Sequence, residues 1–163
     1  MRYLPVTNHN RQQINAVISQ RWFSTQMIIR VESVEMTAVE GIAAMENDEI
    51  AGLITFRISD GICEIMSLDS LQEGQGIGTT LLEQVIAIAR AEGCLKVSVI
   101  TTNDNINAIR FYQKRGFDLV KLHRDSIKQA RALKPEIPLA GQNGIPIKHE
   151  FEFELFLGKS EPG

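Results

Sequence analysis

The sequence predicts a mixed α/β fold of one sheet flanked by helices, and three observations carry that prediction. Apolar strand-like runs separated by turn signals fill the first half of the chain. A strand, a helix and another strand follow in the middle, and the last apolar run, "EFEFELFL", alternates cleanly. At 163 residues, with 44% hydrophobic and 23% charged residues, the chain has the size and balance of one globular domain over 1–163.

The elements follow in order. After a short apolar start, Ile14, Val17, Ile18 and Trp22 fall at helical spacing in "NRQQINAVISQRW" and predict a first helix. "QMIIRVESVEM" and "AVEGIAAMEN" read as strand material, the second ending in the turn "ENDE". "EIAGLITFRI" and "GICEIMSLDS" are two more strands joined by the hairpin signal Ser59-Asp60-Gly61, so an antiparallel meander is expected. From about Gly76 to Glu92 a helix presents Ile77, Leu81, Val85 and Ile88 on one face before Gly93 stops it. In "CLKVSVITT", Leu95, Val97 and Val99 alternate against Lys96 and Ser98, which completes a right-handed parallel crossover. "NDNINAIRFYQKRG" is a helix capped by Asp104 and ended by Gly116, with Phe117 packing back. "FDLVKL" is a strand and "SIKQARAL" a short helix. Three of the five prolines then fall in "KPEIPLAGQNGIPIKHE", a long ordered loop, before "EFEFELFL" closes the sheet.

Composition narrows the partners. A net charge of −3 with scattered basic residues offers no attraction for nucleic acid or an anionic membrane surface. No apolar run approaches the roughly 18 residues of a membrane span, and the first ten residues lack the layout of a secretion signal, so a cytoplasmic protein is expected. Cys63 and Cys94 lie in apolar contexts and read as buried, reduced spectators. His9, His123 and His149 are isolated from one another and from Cys or carboxylates at metal spacing, so no metal site is expected.

The stretch that asks for a ligand is "LQEGQGIGTTLL", residues 71 to 82, with glycines at alternate positions ahead of a helix. Glycines let backbone N–H groups approach a ligand closely, and a helix start adds unpaired donors and partial positive charge. That chemistry suits a phosphate or diphosphate. The competing reading is a tight strand-to-helix turn and nothing more. A P-loop would need a lysine before Thr79, and a dinucleotide fingerprint counted from Gly74 would need glycine at Thr79, so both are set aside.

Together, "QEGQGIGTTLLEQVIAIARAEG" and "NDNINAIRFYQKRGF" resemble the GNAT superfamily of acyl-coenzyme A-dependent N-acetyltransferases. Its signature, Gln/Arg-x-x-Gly-x-Gly/Ala, maps onto Glu73, Gly76 and Gly78. Its second motif maps onto Asn105, Ala108, Tyr112, Gly116 and Phe117. The likeness extends more loosely over about residues 39 to 122, and "LKPEIP…GIPI…E" is similar to the tail of one bacterial branch. The resemblance implies a mixed sheet of about seven strands, with the fourth and fifth, here 61–70 and 94–102, splayed apart. It implies acetyl-coenzyme A as cosubstrate, its diphosphate on Gly74, Gln75, Gly76, Ile77, Gly78 and Thr79. The pantetheine arm would bond the backbone near Ser67, Leu68 and Asp69, with Asn105 either touching it or bonding backbone. Glu73 departs from the motif, and its carboxylate is expected to point to solvent.

Acyl transfer to an amine needs a neutral nucleophile, a stabilised oxyanion and a proton for the leaving thiolate. A lysine-like amine costs about 4–5 kcal/mol to deprotonate at pH 7, so a base is required. Tyr112 is the candidate acid, since an ordinary phenol would protonate a thiolate at a penalty of only about 2 kcal/mol; the alternative is a core aromatic beside Phe111. Glu64 is the candidate base, expected to be partly desolvated beside Ile62 and Met66; the alternative is a cross-strand pair with Arg57. Asp69 is the competing carboxylate or a turn cap, and the oxyanion is expected on a backbone N–H near Leu68. Trp22, Phe23 and the loop from Lys134, with Glu136 as its acidic feature, would form the acceptor rim. The expected function is acetyl transfer to a primary amine of a small molecule. The rival class is a catalytically silent acyl-coenzyme A-binding module, separated by the presence of Tyr112. A homodimer paired through "EFEFELFL" is the further expectation.

Overall fold

The computed structural model describes residues 1–22, 26–29, 32–36, 39–72, 74–141 and 143–158. Its elements run β1 (Arg2–Pro5), α1 (Arg11–Trp22), β2 (Gln26–Ile29), β3 (Glu32–Glu35), β4 (Glu40–Glu46), β5 (Glu49–Ser59) and β6 (Ile62–Ser70) in the first half. There follow α2 (Ile77–Ala91), β7 (Lys96–Thr102), α3 (Ile106–Lys114), β8 (Asp118–His123), α4 (Ser126–Leu133) and β9 (Glu150–Phe156).

Seven strands form one sheet in the order β1-β4-β5-β6-β7-β9-β8, and β2 and β3 form a separate hairpin. All its neighbours are antiparallel except β6 and β7, the two strands joined through α2, which are parallel. Two-residue turns make the meander: Asn47 and Asp48 (φ 53° and 64°), then Asp60 and Gly61 (φ 53° and 77°), all take the left-handed backbone such hairpins need. The sheet is covered on both faces. Ile54, Phe56, Cys63, Ile65, Val97, Val99 and Phe153 pack against Leu81, Leu82 and Val85 of α2 and Tyr112 of α3. On the other face Ala43, Leu53 and Met66 pack against Ile14 and Ile18 of α1 and against Ile29 and Val34 of the hairpin.

The feature that makes a site is the short ladder between β6 and β7. It runs from Ile62 opposite Lys96 to Ile65 opposite Val99, yet β6 continues to Ser70 and β7 to Thr102. Beyond Ile65 the two strands part, as the resemblance implies. The β5–β6 register slips at the same level, between Thr55 and Phe56, so that Thr55 faces Ser67 while Phe56 faces Ile65. A bulge there sharpens the local twist and helps turn β6 away from β7.

Several expectations need correction. The first residues, read only as an apolar start, form edge strand β1, which four mostly exposed residues do not announce. "QMIIRVESVEM", read as strand material, supplies β2 and β3, which pair with each other outside the seven-stranded sheet. Leu95 precedes β7 and is exposed, leaving Val97 and Val99 as the inward residues. The cap of α3 is Asn105, whose Oδ1 accepts the Ala108 N–H at 3.1 Å, and not Asp104. Finally, β9 is no edge: it bonds β7 along one side and β8 along the other, so the backbone pairing proposed for a dimer is already used. The edge on that side is β8, with Leu119, Val120 and Leu122 exposed.

Candidate active site

The glycine loop is shaped by its backbone and not by packing. Gly74 and Gly76 take φ of 80° and 69°, and a Cβ built on either would meet no atom within 4 Å, so they face open space. Gly76 is the N-cap of α2 and has no side chain to offer the N–H groups of the first turn. What anchors that turn is Ile77, buried against the sheet. A Cβ at Gly52 of β5 would lie 2.6 Å from Ile77 Cγ2, so the bare backbone there lets α2 start close to β5.

Opposite the loop stands α3. Its last turn is followed by Arg115, whose Nη2 and Nε donate to Thr79 Oγ1 at 2.6 and 3.2 Å. Its Nη1 donates to the Phe111 carbonyl at 2.9 Å, and its guanidinium carbon lies 3.7 Å from the Phe111 ring centre. A stacked, hydrogen-bonded Arg is a fixed positive charge at the mouth of the loop. Between the two helices lies a cavity of about 550 Å³ lined by Gly74, Gly76, Ile77, Gly78 and Thr79 on one side and Asn105, Phe111, Tyr112 and Arg115 on the other.

A second cavity of about 170 Å³ occupies the gap between β6 and β7, lined among others by Ser67, Leu68, Thr101, Asn105, Tyr112 and Glu150. The two share Leu68, Asn105, Ala108 and Tyr112. The two cavities therefore adjoin, with Tyr112 on the lining of each.

Tyr112 sits at the junction, 5% exposed, edge-on to Phe111 (5.2 Å) and Phe117 (5.3 Å) and stacked at 6.5 Å on Phe153. Tyr112 is thus a core aromatic that also lines both cavities. Burial first, and then the charge of Asp69, push its hydroxyl far above the ordinary phenol value, so it carries its proton at any physiological pH. Protonating a thiolate from this phenol would therefore cost more than the about 2 kcal/mol of a free phenol.

The remaining sequence candidates are distributed as follows. Ser67 is buried, its hydroxyl 2.6 Å from that of Thr55, and Leu68 lines both cavities. Asp69 is buried near enough to act on Tyr112 electrostatically, but lines neither cavity. Gln75 is exposed on the loop rim and is on neither lining. Glu64 is desolvated as expected, at 7% exposure, yet the structure brings it to Arg57, whose Nη2 and Nε reach its Oε1 at 2.8 and 2.9 Å. It lines a separate cavity of about 310 Å³ with Lys96 and Glu154, one that does not include Tyr112. Phe23 and Glu73 lie outside the described residues, and Glu136 is exposed. Reading by sequence missed Arg115 and Glu150. The first could have been found one turn after Tyr112, at the spacing that puts two side chains on one helix face; the second had no local signal.

Both cysteines are buried, as expected, and burial, with lesser help from Cys94 and Glu40, pushes the Cys63 thiol up to about 12. Among the described residues no three His, Cys, Asp or Glu side chains gather as a metal ion would require, and no helix is long and apolar enough to cross a membrane.

Comparison with known proteins places this geometry. Residues 8–117 match the model of the acetyltransferase (GNAT) family. Two uncharacterized proteins of Bacillus subtilis (strain 168) are similar throughout. YxbD is 40% identical over 151 residues, 92% of this chain and 95% of its own, and YdhI is 40% identical over 155 residues, 94% and 97%. Among solved structures, a GNAT family acetyltransferase from Elizabethkingia anophelis, crystallised with acetyl-CoA bound, superposes with a TM-score of 0.70 at 21% identity, covering 96% of this chain and 97% of that one.

Proposed function

The chain belongs to the GNAT family of acetyltransferases, and from that premise we propose that it moves an acetyl group from acetyl-coenzyme A to a primary amine of a small molecule in the cytoplasm. The observation that carries this reading is that the cavity at the glycine loop and the cavity at the parted strands adjoin, sharing Leu68, Asn105, Ala108 and Tyr112.

In this reading the diphosphate lies against the N–H groups of residues 74 to 79 at the start of α2, with Arg115 supplying the positive charge that Glu73 does not. The pantetheine arm runs past Asn105 into the gap, bonding the free edge of β6 near Leu68 and delivering the thioester beside Tyr112. The amine attacks the carbonyl carbon directly, a C–N bond forms and the C–S bond breaks. Tyr112 gives its proton to the departing sulfur and regains one from the nitrogen of the product. The buried, apolar neighbours of the phenol keep water from taking its place.

The test is release of free thiol from acetyl-coenzyme A over a panel of amines, with the parent chain and Tyr112→Phe. Tyr112→Phe removes one oxygen from a packed ring, so the fold and the coenzyme affinity are expected to stand while turnover falls by on the order of 10²-fold or more. Equal turnover by the two proteins removes Tyr112 from the mechanism. Tight coenzyme binding with no thiol release from any amine would make the chain a silent acyl-coenzyme A-binding module instead.

A further inference from the structure

We propose that Glu150 is the carboxylate that meets the acceptor amine and takes the proton its ammonium must lose before attack; the inference rests on the acetyl-transfer reading above. The cavity in the gap is lined from both faces of the sheet. Its lining takes Ile65, Val99 and Tyr112 from the core on the α2–α3 face and Ile29 and Met66 from the core on the α1 face. A thioester arriving past α3 and an amine arriving from the α1 face therefore meet within it.

On that lining, and on that of the larger cavity, Glu150 is the acidic side chain among the described residues, and it is 3% exposed. Its place follows from register. Glu150 stands opposite Thr102, at the end of β7, past Val99 where the pairing with β6 stops. The same alternation puts Glu152 and Glu154 on the same face of β9 one and two steps further along. There Glu152 meets His123 at 2.8 Å and Glu154 meets Lys96 at 2.7 Å. Of three glutamates in one row, the parting of β6 and β7 brings the first into the cavity that holds Tyr112. Ser67, Thr101 and Thr102 complete a polar lining suited to a cationic head group.

The protons balance as follows. The ammonium R–NH3⁺ gives one proton to the Glu150 carboxylate, leaving R–NH2 and a neutral carboxyl. The amine attacks the thioester, and the second proton leaves the nitrogen as the amide forms, replacing the one that Tyr112 donated to sulfur. Glu150 returns its proton to water, so each turnover yields amide, free thiol and one released proton. A weakly basic amine that is already neutral near pH 7 needs no such base.

That difference supplies the test. The full-length parent, Glu150→Gln and Glu150→Asp are compared with butylamine, a cation near neutral pH, and with aniline, which is neutral there. Glu150→Gln is expected to lower kcat/KM for butylamine by on the order of 10²-fold, to leave aniline within about threefold and to leave coenzyme A affinity unchanged. Equal losses for both amines, or none, overturn the proposal. Should Glu150→Gln lose its cooperative thermal transition, Glu150→Asp carries the same comparison. If the parent releases no thiol with any amine of the panel, the acetyl-transfer reading fails. Glu150 is then judged by thermal shift, with the coenzyme A-loaded chain titrated with butylammonium chloride against sodium chloride. Stabilisation of the parent but not of Glu150→Gln supports the site, and the same response in both overturns it.

Discussion

The two ends of the β6–β7 pair are built from the same strands and differ in what surrounds their carboxylates. At the paired end the ladder is intact from Ile62 to Ile65, and charges are matched on either side of it: Arg57 of β5 with Glu64 of β6 at 2.8 Å, Lys96 of β7 with Glu154 of β9 at 2.7 Å. At the parted end backbone groups lose their neighbours and a phenol, two threonines and a glutamate line the gap. The paired end has the larger hollow, about 310 Å³ against 170 Å³. What distinguishes the parted end is that the β6–β7 ladder stops there, which leaves strand edges that a ligand could pair with.

The largest expected effect breaks the loop that feeds the parted end. Gly76→Asp keeps a residue type that tolerates left-handed backbone, with no atom within 4 Å of its Cβ, so folding is expected to stand. Its carboxylate would cap the first N–H groups of α2 itself and repel a diphosphate. Acetyl-coenzyme A affinity by titration calorimetry is expected to fall by more than about 100-fold, the loss of several charge-assisted bonds. The same change at Gly93, equally open at φ 74° but at the other end of α2, serves as control and should leave affinity unaltered. Normal affinity in Gly76→Asp would take the diphosphate away from this loop.

These two ends were not equally legible in the sequence. The glycine loop, the helix behind it and Tyr112 were readable because each depends on local spacing: left-handed backbone at Gly74 and Gly76, a helical stripe of Ile77, Leu81 and Val85, and a phenol a fixed number of residues after Asn105. Glu150 was not, because Glu150, Glu152 and Glu154 are the same pattern repeated, and only the insertion of β9 between β7 and β8 decides which of them reaches the gap. Glu64 failed to separate for the same reason. Its burial was inferable from alternation, whereas its distance from Tyr112 depends on how far β6 and β7 stay together, a non-local fact. The β2–β3 hairpin was likewise hidden: a continuous apolar alternation says nothing about which sheet it joins.

A smaller effect is expected from Glu64→Gln, and it sharpens the contrast between the ends. If the paired end is structural, turnover should stay within about threefold of the parent, since no reacting atom lies in that cavity. Stability should fall by roughly 1–2 kcal/mol in urea, less than a fully buried pair would lose because a third of the Arg57 side chain remains in water. A 10²-fold loss of turnover at unchanged stability would instead return the base to Glu64 and remove the need for Glu150.

A third contrast separates the two ends by pH. Cys63 belongs to the paired end, and its folded thiol, near 12, lies above its ordinary value of 9.0, so the folded chain holds that proton more tightly than the unfolded one. Its contribution is therefore complete below about pH 9 and lost as pH rises toward 12, at up to about 1.4 kcal/mol per pH unit. Tyr112, at the parted end, is shifted in the same direction, so its share begins to fall only above about pH 10. Urea midpoints followed from about pH 8 to about pH 11 should thus decline in two stages. Cys63→Ala should flatten the first and Tyr112→Phe the second. Flattening of both stages by either change would mean that the two ends unfold and titrate as one network, and the division between a structural end and a chemical end would go with it.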